Sequence, residues 1–369
     1  MTLPKLHRAV LAVPGIAALL VAALLVATLA NHARADEIVL YKGDARTDVT
    51  VTDETYEGVV YRQKGIPAPQ NYPAAKVREV IYTKRSKFYS FGDDAFAVGD
   101  YAKAAEFYKT AAASAKNWEK QYGLFNVAEC LRLSNKLDDA IKAYNELLTA
   151  VPKTRFVGDC YERIALCQRA LRKPDDAKKT YEQLKGQVTL KNLGARWELL
   201  ADFRLLELQE KSDPKGALAG YQELQSKAAE FPDVANMARL RVGYVMIQEK
   251  QIDKARKFFE DIIKDRQASS GDMTIVAGAY NGLGTTYLAK PTLTAADYDA
   301  ALFPFFRTIF HYGDSLKQSE LLAEALYQGG ICLDSREGEN NKKRAKILFS
   351  RCAEEFPTSE WAKKAALKK

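Results

Sequence analysis

The sequence contains few of the residues from which metal centres and many active sites are built. Three of its 369 residues are histidine, and His7 and His32 lie within the first 35. The remaining His311 cannot alone supply a zinc site that needs two histidines, or an HExxH motif. Gly282-Leu283-Gly284 lacks the third glycine of a phosphate-binding loop and follows no predicted strand. We therefore predict neither a metal nor a cofactor.

Cysteine is also scarce, and none of the five cysteines forms a CxxC pair. Cys130, Cys167 and Cys332 each follow a small residue by two positions. A free cysteine at such a close-packed point behaves as a small apolar side chain. We expect buried, reduced thiols, and a disulfide between neighbouring units of the chain is the alternative.

The chain has no strong excess of charge. The formal charge of +8 includes Lys5, Arg8 and Arg34, so the chain from Asp36 onward has 52 basic and 47 acidic residues, a net charge of +5. Charges of both signs alternate along the later sequence, as on solvated helix faces. Nucleic acid, which needs basic residues concentrated on one face, is not a predicted partner. The candidates for contact with an anionic envelope surface are the C-terminal Lys363, Lys364, Lys368 and Lys369.

The first 35 residues have the pattern of an export signal. Lys5 and Arg8 precede an apolar run over residues 9–30, and Ala33-Arg34-Ala35 resembles a cleavage site. We therefore predict a signal peptide over 1–35 and an exported chain in the periplasm or cell envelope. The run of 22 residues is also long enough to cross a bilayer. An uncleaved inner-membrane anchor, with the rest of the chain outside the cytoplasm, is the alternative.

Seven pairs, in each of which an alanine is followed four residues later by Tyr or Phe, recur at similar spacing along the chain. Successive alanines lie 36, 37, 40, 38, 46 and 44 residues apart, and positions four apart share one face of a helix. This spacing predicts an array of helical hairpins, which buries apolar surface mainly between neighbouring units. The pairs are Ala104/Tyr108, Ala140/Tyr144, Ala177/Tyr181, Ala217/Tyr221, Ala255/Phe259, Ala301/Phe305 and Ala345/Phe349.

The units resemble tetratricopeptide repeats, whose pattern has a large residue, a Leu-Gly-like pair, an aromatic, Ala, Phe or Tyr, Ala and Pro. The second unit shows Leu124, Val127-Ala128, Leu131, Leu137, Ala140, Tyr144, Leu147 and Pro152. The resemblance implies a mostly α fold, an α-solenoid of about seven hairpins within residues 84–357. The predicted units are 85–118, 121–154, 158–191, 198–232, 236–269, 277–312 and 323–357.

Different elements flank the repeats. Residues 36–83 contain short runs rich in β-branched and aromatic residues, which predict a small β module with strands near 37–41, 47–53, 58–63 and 77–82. This module resembles those that precede helical repeats in some bacterial envelope proteins. We expect it to cap the first repeat or to bind a partner separately. Residues 358–369 predict a capping helix with Ser359 as its N-cap and Trp361 as its anchor, followed by a basic tail.

The resemblance implies a non-enzymatic scaffold that binds a segment of another envelope protein on the concave face formed by the first helices. Aromatic and Arg side chains often anchor such interfaces. Two alternatives are a self-assembling structural envelope protein and, with less support, an enzyme. The enzyme site would lie in the β module or in a cleft between repeats, with acidic pairs such as Asp93/Asp94. The predicted partner-binding residues are Tyr89, Phe96, Phe125, Arg132, Arg169, Tyr244 and Tyr327.

Overall fold

The computed structural model describes residues 35–114, 118–265, 273–316 and 319–368. The predicted signal or anchor over 1–35 lies outside these ranges except for Ala35. A small sheet comes first in the chain and a helical array follows it, which confirms the predicted fold class. Along the described ranges, none of the helices has the length and hydropathy that crossing a bilayer requires.

The sheet is antiparallel and contains five strands in the order β4-β3-β2-β1-β5. Four of them match the predicted strands within two residues, but β4 was not predicted. Its Pro73, close to Pro67 and Pro69, predicts a loop instead. Because β4 lies at the sheet edge and pairs only with β3, the missing proline N–H is tolerated there. The strands are β1 Asp36–Leu40, β2 Arg46–Glu54, β3 Gly58–Gln63, β4 Gln70–Pro73 and β5 Val77–Ile81.

Within the described ranges, the helices form seven consecutive hairpins and one terminal helix. The first three hairpins are α1 Lys87–Ala97 with α2 Tyr101–Ser114, α3 Trp118–Leu133 with α4 Leu137–Ala150, and α5 Val157–Ala170 with α6 Pro174–Lys191. The fourth and fifth are α7 Ala195–Gln209 with α8 Pro214–Lys227, and α9 Pro232–Gln248 with α10 Ile252–Lys264. The last two are α11 Met273–Leu288 with α12 Ala295–Arg307, and α13 Glu320–Asp334 with α14 Glu339–Glu355; α15 Glu360–Ala366 follows them.

Each hairpin is built around an aromatic ring from its second helix. All seven alanines of the sequence repeat are 0% exposed, and their seven aromatic partners are at most 2% exposed. Where the first helix supplies a glycine, the ring fills the space of the absent side chain. A Cβ added at Gly92 would lie 2.6 Å from the Tyr108 ring, and one at Gly284 would lie 2.7 Å from the Phe305 ring. The Gly-Leu-Gly sequence therefore serves helix packing.

The sheet does not cap the end of the array. It lies along one edge, where the first helices of the second to fifth hairpins begin, so the module links four hairpins. Its contacts along that edge are Tyr82 stacked on Trp118 with ring centroids 3.9 Å apart, Tyr56 N–H to the Lys153 carbonyl at 3.2 Å, Ala75 beside Gly194, and Tyr41 edge-on to Phe231 at 6.0 Å.

A buried carboxylate fixes the sheet to the array. Glu54 at the end of β2 accepts hydrogen bonds from the Tyr82 hydroxyl at 2.7 Å and from Arg155 Nη1 at 2.9 Å. The Tyr122 hydroxyl is a third donor at 3.3 Å. Because this carboxylate is paired and accepts several hydrogen bonds, its burial is compensated.

The predicted C-terminal helix covers the far end of the array. Ala362 and Ala365 of α15 are buried, and Ser359 accepts a hydrogen bond from Trp361 N–H at 3.1 Å, which confirms the predicted N-cap. Lys363 Nζ also donates to the carbonyl of Ala170, at the end of α5, at 3.1 Å. The end of the array therefore contacts the third hairpin.

The five cysteines are buried and unpaired, as expected from their small neighbours. Cys130 is part of the core of the first hairpin, and Cys160 and Cys167 belong to the core of the second. Burial raises the pKa of Cys130 to about 12, so this thiol has little thiolate character. These positions serve packing between hairpins.

Two glycine-to-alanine substitutions test the ring contact. A Cβ at Gly243 would lie 2.4 Å from Cζ of Phe259, whereas at Gly186, in α6, nothing lies within 4 Å. We expect Gly243→Ala to lower the free energy of unfolding by about 1–3 kcal/mol through overpacking. Gly186→Ala should raise it by about 0.5–1 kcal/mol by restricting the unfolded chain. Urea unfolding followed by helical circular dichroism measures both, and equal effects would contradict the packing account.

Candidate interaction surfaces

Consecutive first helices are joined by arginine–carboxylate pairs from the second hairpin to the fifth. Each pair links residues on neighbouring hairpins, so it stabilises stacking and not a single hairpin. We call the surface formed by these first helices the inner face. The pairs are Glu129–Arg163 at 3.3 Å, Glu162–Arg204 at 2.9 Å, Arg169–Glu207 at 2.9 Å, Arg196–Asp233 at 2.6 Å, and Glu210–Arg241.

The inner face is strongly curved, because first helices two hairpins apart touch across it. Tyr244 of α9 donates its hydroxyl to Glu324 of α13 at 3.0 Å. Asn281 of α11 donates to the same carboxylate at 3.0 Å. Burial raises the pKa of Glu324, and these two hydrogen bonds oppose that effect. The concave side is therefore occupied in part by the chain's own polar contacts.

The ring tyrosines extend this network. The Tyr108 hydroxyl donates to Asp93 at 2.8 Å, and the Tyr221 hydroxyl donates to Glu210 at 2.9 Å. Tyr144 donates in the same way to Glu129.

The third hairpin departs from this pattern. The Tyr181 hydroxyl is buried without a hydrogen-bond partner among the described residues. The acid that follows the small residue in the first two hairpins, Asp93 or Glu129, is replaced there by Leu166.

Two inner-face carboxylates are held ionised by arginine. Burial alone would raise the pKa of Glu207, but the guanidinium groups of Arg204 and Arg169 outweigh burial and lower it to about 2. Glu129 is likewise lowered to about 2, because Arg163 and Arg132 outweigh its burial. Both carboxylates therefore contribute stability at neutral pH.

Three of the predicted partner-binding residues lie in this inner-face network. Arg132 pairs with Glu129 at 2.8 Å, and Arg169 pairs with Glu207. Tyr244 has its hydroxyl on Glu324. The structure brings these side chains to the expected face but engages them internally. Their contact with a partner stays a prediction.

The other four predicted residues pack against aromatic rings. Tyr89 is 6% exposed and lies against Trp118, so little of its ring is open to a partner. Phe96, Phe125 and Tyr327 are partly buried. Their ring contacts are Phe96 with Tyr101 at 5.3 Å, Phe125 with Phe156 at 4.4 Å and Tyr327 with Trp361 at 5.5 Å.

The acidic pair Asp93/Asp94 also has a packing explanation. Asp93 accepts from the Tyr108 hydroxyl and pairs with Arg85, so one of the two carboxylates stabilises the first hairpin. Within the described ranges, no group of three or more histidine, cysteine or carboxylate side chains is placed to hold a metal ion.

A more open surface lies at the first hairpin. Between α1 and α2 is a groove of about 420 Å³, with Phe91 and Phe107 in its wall. Phe91 is 38% exposed and Val98 is 80% exposed. We call this surface the end groove. Its lining residues are Phe91, Asp94, Ala95, Val98, Asp100, Lys103 and Phe107.

The repeat explains why the end groove is open. Phe91 lies 36 residues before Val127, the same spacing that separates the first two repeat alanines. Val127 packs on the core of the preceding hairpin, but the first hairpin has no preceding hairpin among the described residues. Aligning the first unit with the second would have shown that Phe91 takes the position of Val127 without a preceding hairpin to pack against. This alignment is the sequence signal for the end groove.

The fold and these surfaces define an α-solenoid scaffold, a class that presents extended surfaces for binding other proteins. The sequence profile of the tetratricopeptide repeat family matches residues 122–154 and 159–187, which are the second and third hairpins. The other five described hairpins contain the same buried alanine and buried ring. Residues 122–154 and 159–187 therefore match the tetratricopeptide repeat family.

Solved structures with similar hairpin arrays share little sequence with this chain. A tetratricopeptide repeat protein from Parabacteroides merdae is 17% identical, with 76% of this chain and 97% of that chain covered and a TM-score of 0.43. The C-terminal part of a repeat-containing protein from Cytophaga hutchinsonii is 16% identical, with 75% and 98% covered and a TM-score of 0.36. PilW, a type IV pilus biogenesis factor, is 15% identical, with 67% and 98% covered and a TM-score of 0.37. No curated protein matches the sequence.

Two tyrosine-to-phenylalanine substitutions test the hydroxyl network. Tyr144→Phe removes a hydrogen bond to the ionised Glu129, so we expect it to lower the free energy of unfolding by about 1–3 kcal/mol. Tyr181→Phe removes a buried hydroxyl that has no partner, so stability should stay unchanged or rise. Thermal and urea unfolding measure both variants. An equal loss in the two would show that Tyr181 has a partner after all.

The ionised carboxylates predict a dependence of stability on pH. The pKa of Glu207 is about 2 in the folded chain and 4.5 ordinarily, so its contribution is present above about pH 4.5 and is lost as pH falls towards 2. We expect Glu207→Gln to lower the free energy of unfolding by about 3 kcal/mol at neutral pH. The loss should become progressively smaller below about pH 4.5, and urea unfolding at a series of pH values measures it.

The control is Glu223→Gln, which removes an exposed pair with Lys227 whose carboxylate side chain is 64% exposed. Such surface pairs contribute little to stability. The free energy of unfolding of this variant should therefore equal that of the parent chain at every pH. If the loss of unfolding free energy in Glu207→Gln does not change with pH, the pKa of Glu207 is not lowered in the folded chain.

Proposed function

We propose that the chain is a non-enzymatic scaffold of the cell envelope that binds a helical segment of a partner protein in the end groove. The observation that carries this proposal is the exposed apolar surface of Phe91 and Val98 at the unstacked end of a helical array. Terminal repeats of solenoids normally present a polar outer face. Apolar patches left on such a face mark interaction sites.

The shape of the end groove favours a helix as its occupant. In the rest of the array, the second helix of each hairpin packs against the first helix of the next. For example, Val127 and Cys130 of α3 pack against the core around Tyr108. A partner helix that lies on Phe91 and Val98 would repeat this arrangement. Helix-in-groove recognition is also a common mode of peptide binding.

The rim of the groove favours a segment with both apolar and polar faces. Lys87 Nζ lies 5.4 Å from the Phe91 ring centroid, and Lys103 Nζ lies 5.9 Å from the Phe107 ring centroid. Asp94 also lines the groove. An apolar core with a rim of mixed charge is typical of protein interfaces. The expected partner is therefore an amphipathic helix with charges of both signs beside its apolar stripe.

The inner face is the second candidate surface for the scaffold. A partner bound there would have to replace partly buried pairs such as Arg169–Glu207, and each carboxylate left without its arginine would lose a compensating charge. We therefore place the partner in the end groove. The predicted roles of Arg132, Arg169 and Tyr244 would require the inner face to open.

Self-assembly is a second candidate function, because an unstacked end face can also pack on its copy around a two-fold axis. The two functions differ in solution. A self-assembling chain should show a mass that rises with its concentration, and the rise should disappear when Val98 is replaced. A partner-binding scaffold should keep the mass of one chain until the partner is added.

Matched pairs of charge substitutions test the proposal. Phe91→Glu with Val98→Glu places two charges in the end groove, whereas Phe303→Glu with Ile347→Glu places two on exposed positions that are 64% and 58% accessible in the last two hairpins. A photo-crosslinker at position 98 in intact cells, followed by mass spectrometry, identifies the partner. We expect the first pair to weaken binding of the purified partner segment at least about tenfold, or about 1.4 kcal/mol.

The second pair should leave this binding unchanged. Both double variants should retain the helical circular-dichroism signal of the parent chain. If the two pairs weaken binding equally, or if the groove pair has no effect, the end groove is not the partner site.

A further inference from the structure

Exposed apolar and basic side chains surround the point where the described chain begins. Ile66 is 42% exposed and Ile81 is 36% exposed. The lysines Lys64 and Lys84 are exposed beside them. We call the surface made by Arg62, Lys64, Ile66, Ile81 and Lys84 the N-terminal surface.

The sheet brings these residues to the same end of the β module as Ala35. Ala35 lines a groove of about 750 Å³ together with Lys64 and Ile66. On its other side, the Asp36 carboxylate accepts from Thr83 N–H at 3.0 Å, directly before Lys84. The N-terminal surface therefore flanks the start of β1 on two sides.

Register places Ile81 on the outer side of the sheet. It pairs with Glu37 across β1 and β5. Its neighbours Val80 and Tyr82 point into the core that faces the array, and successive residues of a strand point to opposite faces. The N-terminal surface thus includes the outer side of the module, away from the hairpins.

A short segment joins the apolar run over residues 9–30 to Ala35. If the run is inserted in a bilayer, this segment sets the greatest distance between the bilayer and the N-terminal surface. The run ends at Ala30, five residues before Ala35. Five extended residues span at most about 18 Å. While residues 9–30 are inserted in a bilayer, Ala35 and the side chains around it must therefore lie close to the lipid headgroups.

The charge of the surface suits anionic headgroups. Its three basic residues are exposed, and the exposed acids near them are Asp48 and Glu79. Glu37 is half-buried, and the buried Asp36 carboxylate accepts hydrogen bonds from the backbone N–H groups of Val51 and Thr83. Each Lys or Arg close to an anionic membrane surface is attracted to the headgroups. Exposed Ile side chains between the lysines can enter the interface, as the apolar face of an interfacial segment does.

We propose that the N-terminal surface rests on an anionic phospholipid bilayer while residues 9–30 are inserted in it. The lysines contact the headgroups and Ile66 and Ile81 enter the interfacial layer. The β module then orients the array relative to the membrane. This contact uses residues outside the end groove and does not depend on the partner.

Quenching by brominated lipids tests the contact in the full chain. The native cysteines are buried, so a fluorophore attaches selectively to a cysteine introduced as Ile66→Cys or, for comparison, as Ile347→Cys in the last hairpin. The labelled chains are reconstituted in vesicles of phosphatidylglycerol with phosphatidylcholine, or of phosphatidylcholine alone. We expect at least about threefold stronger quenching at position 66 than at 347. The difference should shrink in phosphatidylcholine alone and at high salt, which screens the charges.

Charge reversal provides the matched control. Lys64→Glu with Lys84→Glu should reduce quenching at position 66, whereas Lys215→Glu with Lys254→Glu, exposed lysines on the fourth and fifth hairpins, should not. Equal quenching at 66 and 347, or quenching at 66 that ignores both lipid charge and the lysines, would overturn the proposal. Self-quenching of the label at position 66 would also overturn it, because a second copy would then cover the surface.

Discussion

The contact between a small residue on one helix and an aromatic ring on the next is the constraint on which the rest of the structure depends. At Gly243 and Gly330 the rings of Phe259 and Phe349 fill the space that a side chain would occupy. Two helices can then approach closely at one fixed point, and dense packing makes that point intolerant of added atoms. A first-helix glycine makes this contact in four hairpins, and a buried alanine and ring recur in the second helix of all seven. Neighbouring hairpins therefore present similar surfaces to each other, and they stack without a central core.

This recurrence is also why the array could be predicted from the sequence. The alanine and its ring lie four residues apart on one helix, so the signal is local and repeats seven times. The inner-face network could not be predicted in the same way. Arg204 pairs with Glu162 across 42 residues, and Tyr244 reaches Glu324 across 80; both contacts depend on how tightly the hairpins curve. The position of the β module along the array depends on similarly distant contacts.

The residues predicted to bind a partner make contacts within the array, and their contact with a partner stays a prediction. Arg and Tyr side chains suit interfaces because they combine apolar area with hydrogen bonding, and they serve equally well between repeats. Arg169 meets Glu207 of the next hairpin, and Tyr244 meets a carboxylate two hairpins away. These contacts leave fewer inner-face groups free to bind a partner. The two ends differ here, since α15 covers one and the other exposes Phe91 and Val98.

The β module connects these features. Through Glu54 and Arg155 it is fixed by buried hydrogen bonds to the second and third hairpins, and its edge extends to the fifth. The module therefore contacts four hairpins, through buried groups around Glu54 and through half-buried groups further along its edge. Lys84 of the N-terminal surface lies only seven residues before Phe91 of the end groove. A module held at a membrane would thus present the groove to partners that lie close to the same membrane.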